Sequence, residues 1–275
     1  MKLSVLKNAG PDTVTYYVGD NVEHVKHLQN CTLICKSGFD PQLEDVNLIH
    51  VEDPQLYFYE LSHHVEDIYK FDVNDKPIVG QNVEIGPGCV IGQNVTIGDN
   101  TQIGANTVIY ANTNIGSNVR IDSNVTIGTA GMMWVWNGKD RVFLQQLGGV
   151  TIEDGCIIGS GCVIVRGSAN EITKVGAYTN MAPGCCVGHG TLIGESVHFA
   201  NNVTVGGGAR ISSYTFLGSA AVVNAGMHIT ADDVVIGAGC VVTKNIVESG
   251  IYAGVPGKKI KETSVKMSGL PKWNR

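Results

Sequence analysis

Of the eight histidines in this 275-residue chain, His189 has a partner at a spacing that carries chemical meaning. It stands in the segment GCCVGHGTLIG, and 18 residues further on is Gly207, inside the run Gly206-Gly207-Gly208. In a chain that returns on itself every 18 residues, two such positions stack about 5 Å apart. A glycine there leaves its backbone N–H unobstructed, the kind of donor a developing oxyanion needs. A histidine base beside that donor is the minimum equipment for acyl transfer to an amine or alcohol. Spacing alone leaves open whether His189 is a base or an ordinary corner residue. The remaining histidines have blander readings. His24, His27, His50, His63 and His64 fall near the N-terminus without a partner at a useful spacing. His198 and His228 each precede an inward aliphatic and are expected to face outward from a wall.

The elements that must position His189 follow from one internal period. From Val79 a single position reads Ile85, Ile91, Ile97, Ile103, Ile109, Ile115, Ile121 and Ile127, six residues apart. Glycine usually follows it, and two residues before it come small or β-branched side chains such as Val83, Cys89, Val95 and Thr101. Neither a helix of period 3.6 nor a strand of period 2 produces a strict six. It implies a short strand and a turn, repeated, with three sides closing a triangular coil. The expected fold is mainly β, a left-handed parallel β-helix whose stacked coils leave no free edge except at the ends. The glycines are expected at corners, where positive φ is cheap. Cys89, Cys156, Cys162, Cys185 and Cys240 all occupy the small position and read as core.

The interruptions divide the chain. Residues 1–76 lack the repeat and carry strand-like segments at Thr13–Val18, Thr32–Cys35 and Val46–Val51. A helix is expected after Asp53 as N-cap, with Pro54 first and Leu56, Tyr59 and Leu61 buried, which gives a small α/β domain. Residues 77–247 form the β-helix, about 24 repeats in eight coils. Its register shifts between Ile164 and Val175, eleven residues rather than twelve, and slips by one before Ile236. Residues 129–149 are too long for a corner and must loop out, carrying Trp134 and Trp136. Residues 248–275, with Pro256 and Pro271, read as a basic loop or short tail.

Composition excludes several classes. No apolar stretch of about 18 residues predicts a membrane span, and the N-terminal apolar run is too short for a signal peptide. Cysteines at a fixed core position argue for reduced thiols and a cytoplasmic protein, and Cys31 and Cys35 have no matching second pair for zinc. A net charge of −6 argues against nucleic acid. Yet residues 244–275 hold seven positive side chains against two negative, a tail of +5 that leaves −11 for the rest. It is either a solvated tail or a clamp for an anionic ligand.

The order of these parts resembles the hexapeptide acyltransferase superfamily, and most closely the UDP-3-O-acylglucosamine N-acyltransferases. The likeness runs through a front domain ending near DPQLYFYEL, repeats from Val79, and a loop-out followed by LGGVTIEDGCIIGSGCVIVRG. It continues through GHGTLIG and VTVGGGARISSYTFLGSAAVVNAG. The resemblance implies His189 as general base and the Gly207 N–H as the donor to the thioester oxygen. It also implies a homotrimer with each active site shared between subunits. Three departures stand out: Gly226 replaces a second histidine of that family, the turn with Arg166 is one residue longer, and IYAGVPGKKIK resembles the adenine-end signature of acyl-CoA-dependent relatives.

The resulting expectation is an N-acyltransferase, moving an acyl group from acyl-CoA to the amine of a nucleotide-linked amino sugar, without a metal. Coenzyme A would follow the corners Gly218, Ala220, Gly237 and Ala238 towards Lys258 and Lys259, whose charges suit its phosphates. Trp134, Trp136, Arg166 and the front domain would contact nucleotide and sugar. The alternative is an acyl-carrier-protein-dependent UDP-3-O-acylglucosamine N-acyltransferase. Rivals of another class are a non-enzymatic β-helix and a zinc carbonic anhydrase-like protein using His189, His198 and His228.

Overall fold

In a computed structural model, residues 2–65 and 76–262 are described. The front segment is a four-stranded parallel sheet of β1 (Lys2–Leu3), β2 (Thr13–Tyr16), β3 (Cys31–Lys36) and β4 (Val46–Val51), in that order. One helix follows, α1 (Pro54–Ser62). Asp53 caps it, its carboxylate accepting from the N–H groups of Gln55 and Leu56, and Pro54 fills the first turn, where no N–H is needed. The helix buries Phe58 and Tyr59, while Leu56 and Leu61, expected in the core, are only half-buried. The buried stripe starts from Pro54, so the four-residue helical step lands on Phe58.

The rest is a mainly β, left-handed parallel β-helix. Its first face runs from Ile78–Val79 to His228–Ile229 and its second from Glu84–Ile85 to Gly250–Ala253. The third runs from Val90–Ile91 to Val241–Val242. Eight strands on the first and third faces give the eight coils that the repeat implies. Between the first coils the register is 18 residues, as Val108↔Val90 and Ile109↔Ile91. The aliphatic positions fill the core from Ile97 to Val242.

The position two before the aliphatic does more than pack. Thr101, Thr107, Thr179 and Thr191 donate their hydroxyls to the carbonyls of Gly116, Asp122, Gly194 and Gly206, 15 residues ahead. Cys89 and Cys185 donate their thiols in the same way to Gly104 and Ala200. Threonine and cysteine therefore alternate with valine because the corner carbonyls need buried donors. Burial pushes the Cys156 thiol up to about 12, so it stays protonated in the core. Cys89, in the first coil, is half-buried rather than core.

The corner glycines need a correction. Gly86 and Gly104, just after the aliphatic, do not have positive φ; that conformation falls three residues before the aliphatic, at Asn82, Asn94, Asn100 and Asn106 and equally at Gly88, Gly155 and Gly184. Glycine follows the aliphatic because the coils touch there: a Cβ on Gly86 would sit 2.6 Å from the Ala105 nitrogen. Asparagine tolerates the left-handed region, and it stacks, Asn82 donating to Asn100 at 3.1 Å and Asn94 to Asn112 at 3.2 Å.

Two long insertions and a turned-back tail depart from the prism. Residues 129–149 leave the third corner and fold into a hairpin, Trp134–Asn137 against Asp140–Phe143. The hairpin rests on α1, where Asn137 bonds Glu60 and His63 bonds the Phe143 carbonyl. The eleven-residue step to Val175 is a normal six plus five inserted residues, not a shortened twelve, since Ile164 and Val175 end successive faces. The tail begins as a continuation of the second face, Gly250–Ala253, and turns back antiparallel as Lys258–Lys261. Lys266, Pro271, Lys272 and Arg275 lie outside the described residues. No helix among the described residues is long and apolar enough to cross a membrane.

Candidate active site

His189 lies at the corner between the third and first faces, just past the strand Cys186–Val187. The next coil places Thr204–Val205 in register with that strand, so the corner above His189 is Gly206–Gly208. Backbone bonds lock the stack: Gly188 donates to Val205, Gly208 to His189 and Gly226 to Gly207. The imidazole lies across Gly207, where an added Cβ would stand 2.5 Å from Cδ2 and closer still to Nε2. Among the described residues no protein acceptor faces the Gly207 N–H. The ring is about one third exposed. The spacing of 18 thus brings together His189 and Gly207 as expected.

The other edge of the imidazole is held by residues outside the repeat. The five inserted residues belong to the loop Arg166–Glu171, one coil before His189, at the same corner. Nδ1 of His189 lies 3.3 Å from Ser168 Oγ and 3.7 Å from Glu171 Oε2, the latter longer than a hydrogen bond and an ion pair only when the imidazole is protonated. Glu171 Oε1 in turn meets Lys7 Nζ at 2.6 Å, a residue of the front segment. The Glu171 carboxyl is held down to about 2, chiefly by His189 and then by Lys7, against burial acting upward. Ser168 also receives Gln146 Nε2 at 3.3 Å, and Gln146 accepts from the Gly131 N–H. The repeat names neither Ser168, Glu171 nor Lys7. The register break at Ile164–Val175 is the only signal in the sequence for Ser168 and Glu171, and nothing in it points to Lys7.

Arg166, expected to touch substrate, is fully buried. Its Nε donates to the Gly148 carbonyl at 2.8 Å and its Nη2 to that of Ala111 at 3.3 Å. It closes the gap where the loop-out returns to the coil, and solvent does not reach it. Trp134 and Trp136 are exposed on the outer side of the hairpin, edge to face at 5.1 Å, with Arg141 over Trp134 at 5.8 Å. The adjoining Met133 reaches Ser168 with its sulfur at 3.6 Å. The hairpin base therefore adjoins His189 while its aromatic face looks outward.

The corners expected to carry coenzyme A form a column of their own. Gly218 packs on Ala238, Gly237 on Ala253, and Ala253 pairs with Lys258. Ala220 takes positive φ beside them. This column stands at the corner between the second and third faces, so the width of the third face separates it from His189 within one chain. Lys258 is exposed, but Lys259 is occupied by Glu248 at 3.4 Å and Glu262 at 2.9 Å. The three histidines of the zinc rival do not converge: His198 stacks on Phe216 on the second face, and His228 belongs to the first.

The family model for bacterial transferase hexapeptide (six repeats) matches residues 76–111 and 94–129. The chain is 34% identical over 114 residues to a UDP-3-O-acylglucosamine N-acyltransferase of Delftia acidovorans, a stretch covering 42% of this chain. Over 129 residues it is 33% identical to the enzyme of that name from Herminiimonas arsenicoxydans, covering 46% of this chain. The matches span only about a third of those relatives' length, 33% and 36%. Among solved structures, the UDP-N-acetylglucosamine acyltransferase of Francisella novicida aligns with a TM-score of 0.62 and 26% identity, over 70% of this chain and 68% of that one. That of Bacteroides fragilis aligns with a TM-score of 0.61 at 24% identity, over 71% and 73%, a likeness of fold. Repeat, coil and likeness agree: this chain is a hexapeptide-repeat protein of the left-handed β-helix class.

Proposed function

We propose that the chain is an N-acyltransferase acting on a nucleotide-linked amino sugar, with His189 as general base. The observation that carries this reading is the imidazole lying across Gly207 while its Nδ1 edge is held by Ser168 and Glu171. In the step, the amine lone pair attacks the thioester carbonyl carbon and Nε2 of His189 takes the amine proton. The Gly207 N–H meets the oxyanion, a donor whose loss typically costs about 2.7–4 kcal/mol. Collapse of the intermediate expels the thiolate, which receives the proton back from the imidazolium. The names of the curated relatives favour a UDP-linked glucosamine as acceptor. The free thiols, six of the eight buried, fit a cytoplasmic setting.

The donor has two readings. A carrier-protein thioester fits the Lys259 charge already paired with Glu248 and Glu262. Acyl-CoA is favoured by the corner column that ends at exposed Lys258. Either donor must reach His189 from the neighbouring corner, and a homotrimer supplies the path. The outward residues of the third face are Val90, Val108, Thr126, Val163, Cys186, Thr204, Val222 and Val241, a stripe without a charge. With three such faces turned to a common axis, the His189 corner of one copy adjoins the Gly218–Lys258 column of the next.

The test is thiol release by the full chain, with short acyl-CoAs and acylated carrier protein each offered alongside UDP-linked amino sugars. Turnover that falls on the order of 10²–10⁴-fold in His189→Ala supports the base. Near-full turnover in that variant overturns it. Activity with carrier protein alone removes the coenzyme A reading.

A further inference from the structure

We propose that Glu171 is the positioning residue of His189, and that Lys7 sets Glu171, so that docking of the front segment decides how the base is presented. The inference rests on the reading of His189 as a base and adds to it a part for the N-terminal unit. That unit is otherwise expected to serve only substrate binding.

The loop Arg166–Glu171 is clasped from both sides. On the coil side, Arg166 N–H donates to Thr129 and Gly167 N–H to Gly149. On the front side, Asn170 accepts from the Val5 N–H at 3.1 Å and donates to the Asn8 carbonyl at 3.3 Å. Ala169 packs into the cluster of Leu3, Val14, Ile34, Phe58 and Tyr59. Lys7, in the turn between Val5 and Asn8, is thereby carried to Glu171. The Glu171 carboxylate also lies over Gly190, in the space that an added Cβ, 2.8 Å from Oε2, would take. It therefore presents one oxygen to Lys7 and the other to Nδ1 of His189.

A neutral imidazole carries one proton, on one of two nitrogens. A carboxylate at Nδ1 selects the tautomer with the proton there, leaving the Nε2 lone pair free to accept. Ser168 Oγ, at 3.3 Å, reinforces that choice by accepting from Nδ1 while turning its own hydroxyl to Met133. Without Glu171 the ring is free to place its proton on Nε2, where it blocks base catalysis. Without Lys7, Glu171 loses the cation that holds one of its oxygens, and the front segment loses a tie to the site.

The test reads the ring directly. In the full chain labelled with ¹⁵N-histidine, long-range ¹H–¹⁵N correlation spectra at pH 8.5 distinguish the protonated nitrogen of His189 from the bare one. The native protein is expected to carry the proton on Nδ1. Glu171→Ala shifts the ring towards the Nε2–H form, whereas Glu171→Gln, which still accepts through its amide oxygen, retains Nδ1–H. Lys7→Met raises the Glu171 titration midpoint, read by ¹³C shift of the carboxyl. A native Nε2–H ring, a Glu171→Ala spectrum unchanged from native, or a Glu171 midpoint unmoved in Lys7→Met overturns the inference. With turnover established, Glu171→Ala loses kcat on the order of 10-fold or more with KM little changed. These spectra stand whatever the turnover of His189→Ala, so failure of the base reading and failure of the relay are told apart.

Discussion

A methyl group on Gly207 would occupy the space of the His189 ring, so Gly207→Ala forces the imidazole off its seat. The ring tip is a movable, one-third exposed end of a side chain, so the fold yields cheaply there. Turnover should fall on the order of 10²-fold while the melting temperature stays within a few degrees of native, a split that paired kinetics and calorimetry would read. Glu171 gives the pH prediction. Its carboxyl drops from an ordinary 4.5 to about 2 in the folded chain, so it stabilises the fold fully above pH 4.5. That stabilisation is lost as pH falls towards 2, and the shift corresponds to roughly 3 kcal/mol. Acid unfolding of Glu171→Gln should lack this part of the slope; a slope equal to native would place the acid sensitivity elsewhere. His189 and Gly207 could be paired from sequence because the coil period fixes which residues stack. Glu171, Ser168 and Lys7 could not. An inserted loop has no period to read its path from, and Lys7 arrives across a separate packing surface.

At the scale of the element, the inward Thr and Cys positions carry the fold's hidden hydrogen bonds. Thr179 is fully buried; its hydroxyl donates to the Gly194 carbonyl at 3.1 Å and accepts from the Val197 N–H at 3.2 Å. Thr179→Val keeps the shape but strands two backbone groups, at a cost of about 1–3 kcal/mol each way the bond is lost. Thr179→Ser retains both bonds and gives up one methyl, so thermal unfolding should rank native, Ser, then Val. A Val variant as stable as native would mean the coil is held by apolar packing alone. The strands themselves were legible because the six-residue period leaves one placement for each inward aliphatic. The α1 cap was legible too, since Asp53 and Pro54 state their positions by chemistry. The corner glycines were misread in part, for a physical reason. Sequence marks where glycine occurs but not whether the need is a left-handed φ, as at Gly88 and Gly184, or a close neighbour, as at Gly86 and Gly104. Arg166 was misread in the same way, since a cation at a turn is expected at the surface until the turn proves to be a gap the chain must fill.

For the whole molecule, the decisive fact is that one chain keeps His189 and the Gly218–Lys258 column on different edges of the prism. A thioester arm lying along that column cannot reach Nε2 without crossing the third face. The proposed trimer removes the crossing by making the third faces the shared interior. Those faces carry valines, threonines and a cysteine, stacked over eight coils of about 4.8 Å each. Such a flat, uncharged stripe buries well against its symmetry mates and tolerates no buried cation. Val222 lies on it, half-buried, its side chain directed away from the core and its ladder neighbours Thr204 and Val241. Val222→Arg therefore leaves the coil intact and places an unpaired charge between copies. Arg210, outward on the first face and away from the stripe, provides the control, Arg210→Glu. By sedimentation, the native chain and Arg210→Glu should run at about three times the 29.2 kDa chain mass, and Val222→Arg as a monomer. The monomer should retain the fold by circular dichroism yet lose turnover. A monomeric native chain, or a monomeric Val222→Arg with full activity, would remove the shared site and require the donor to approach His189 across a single chain.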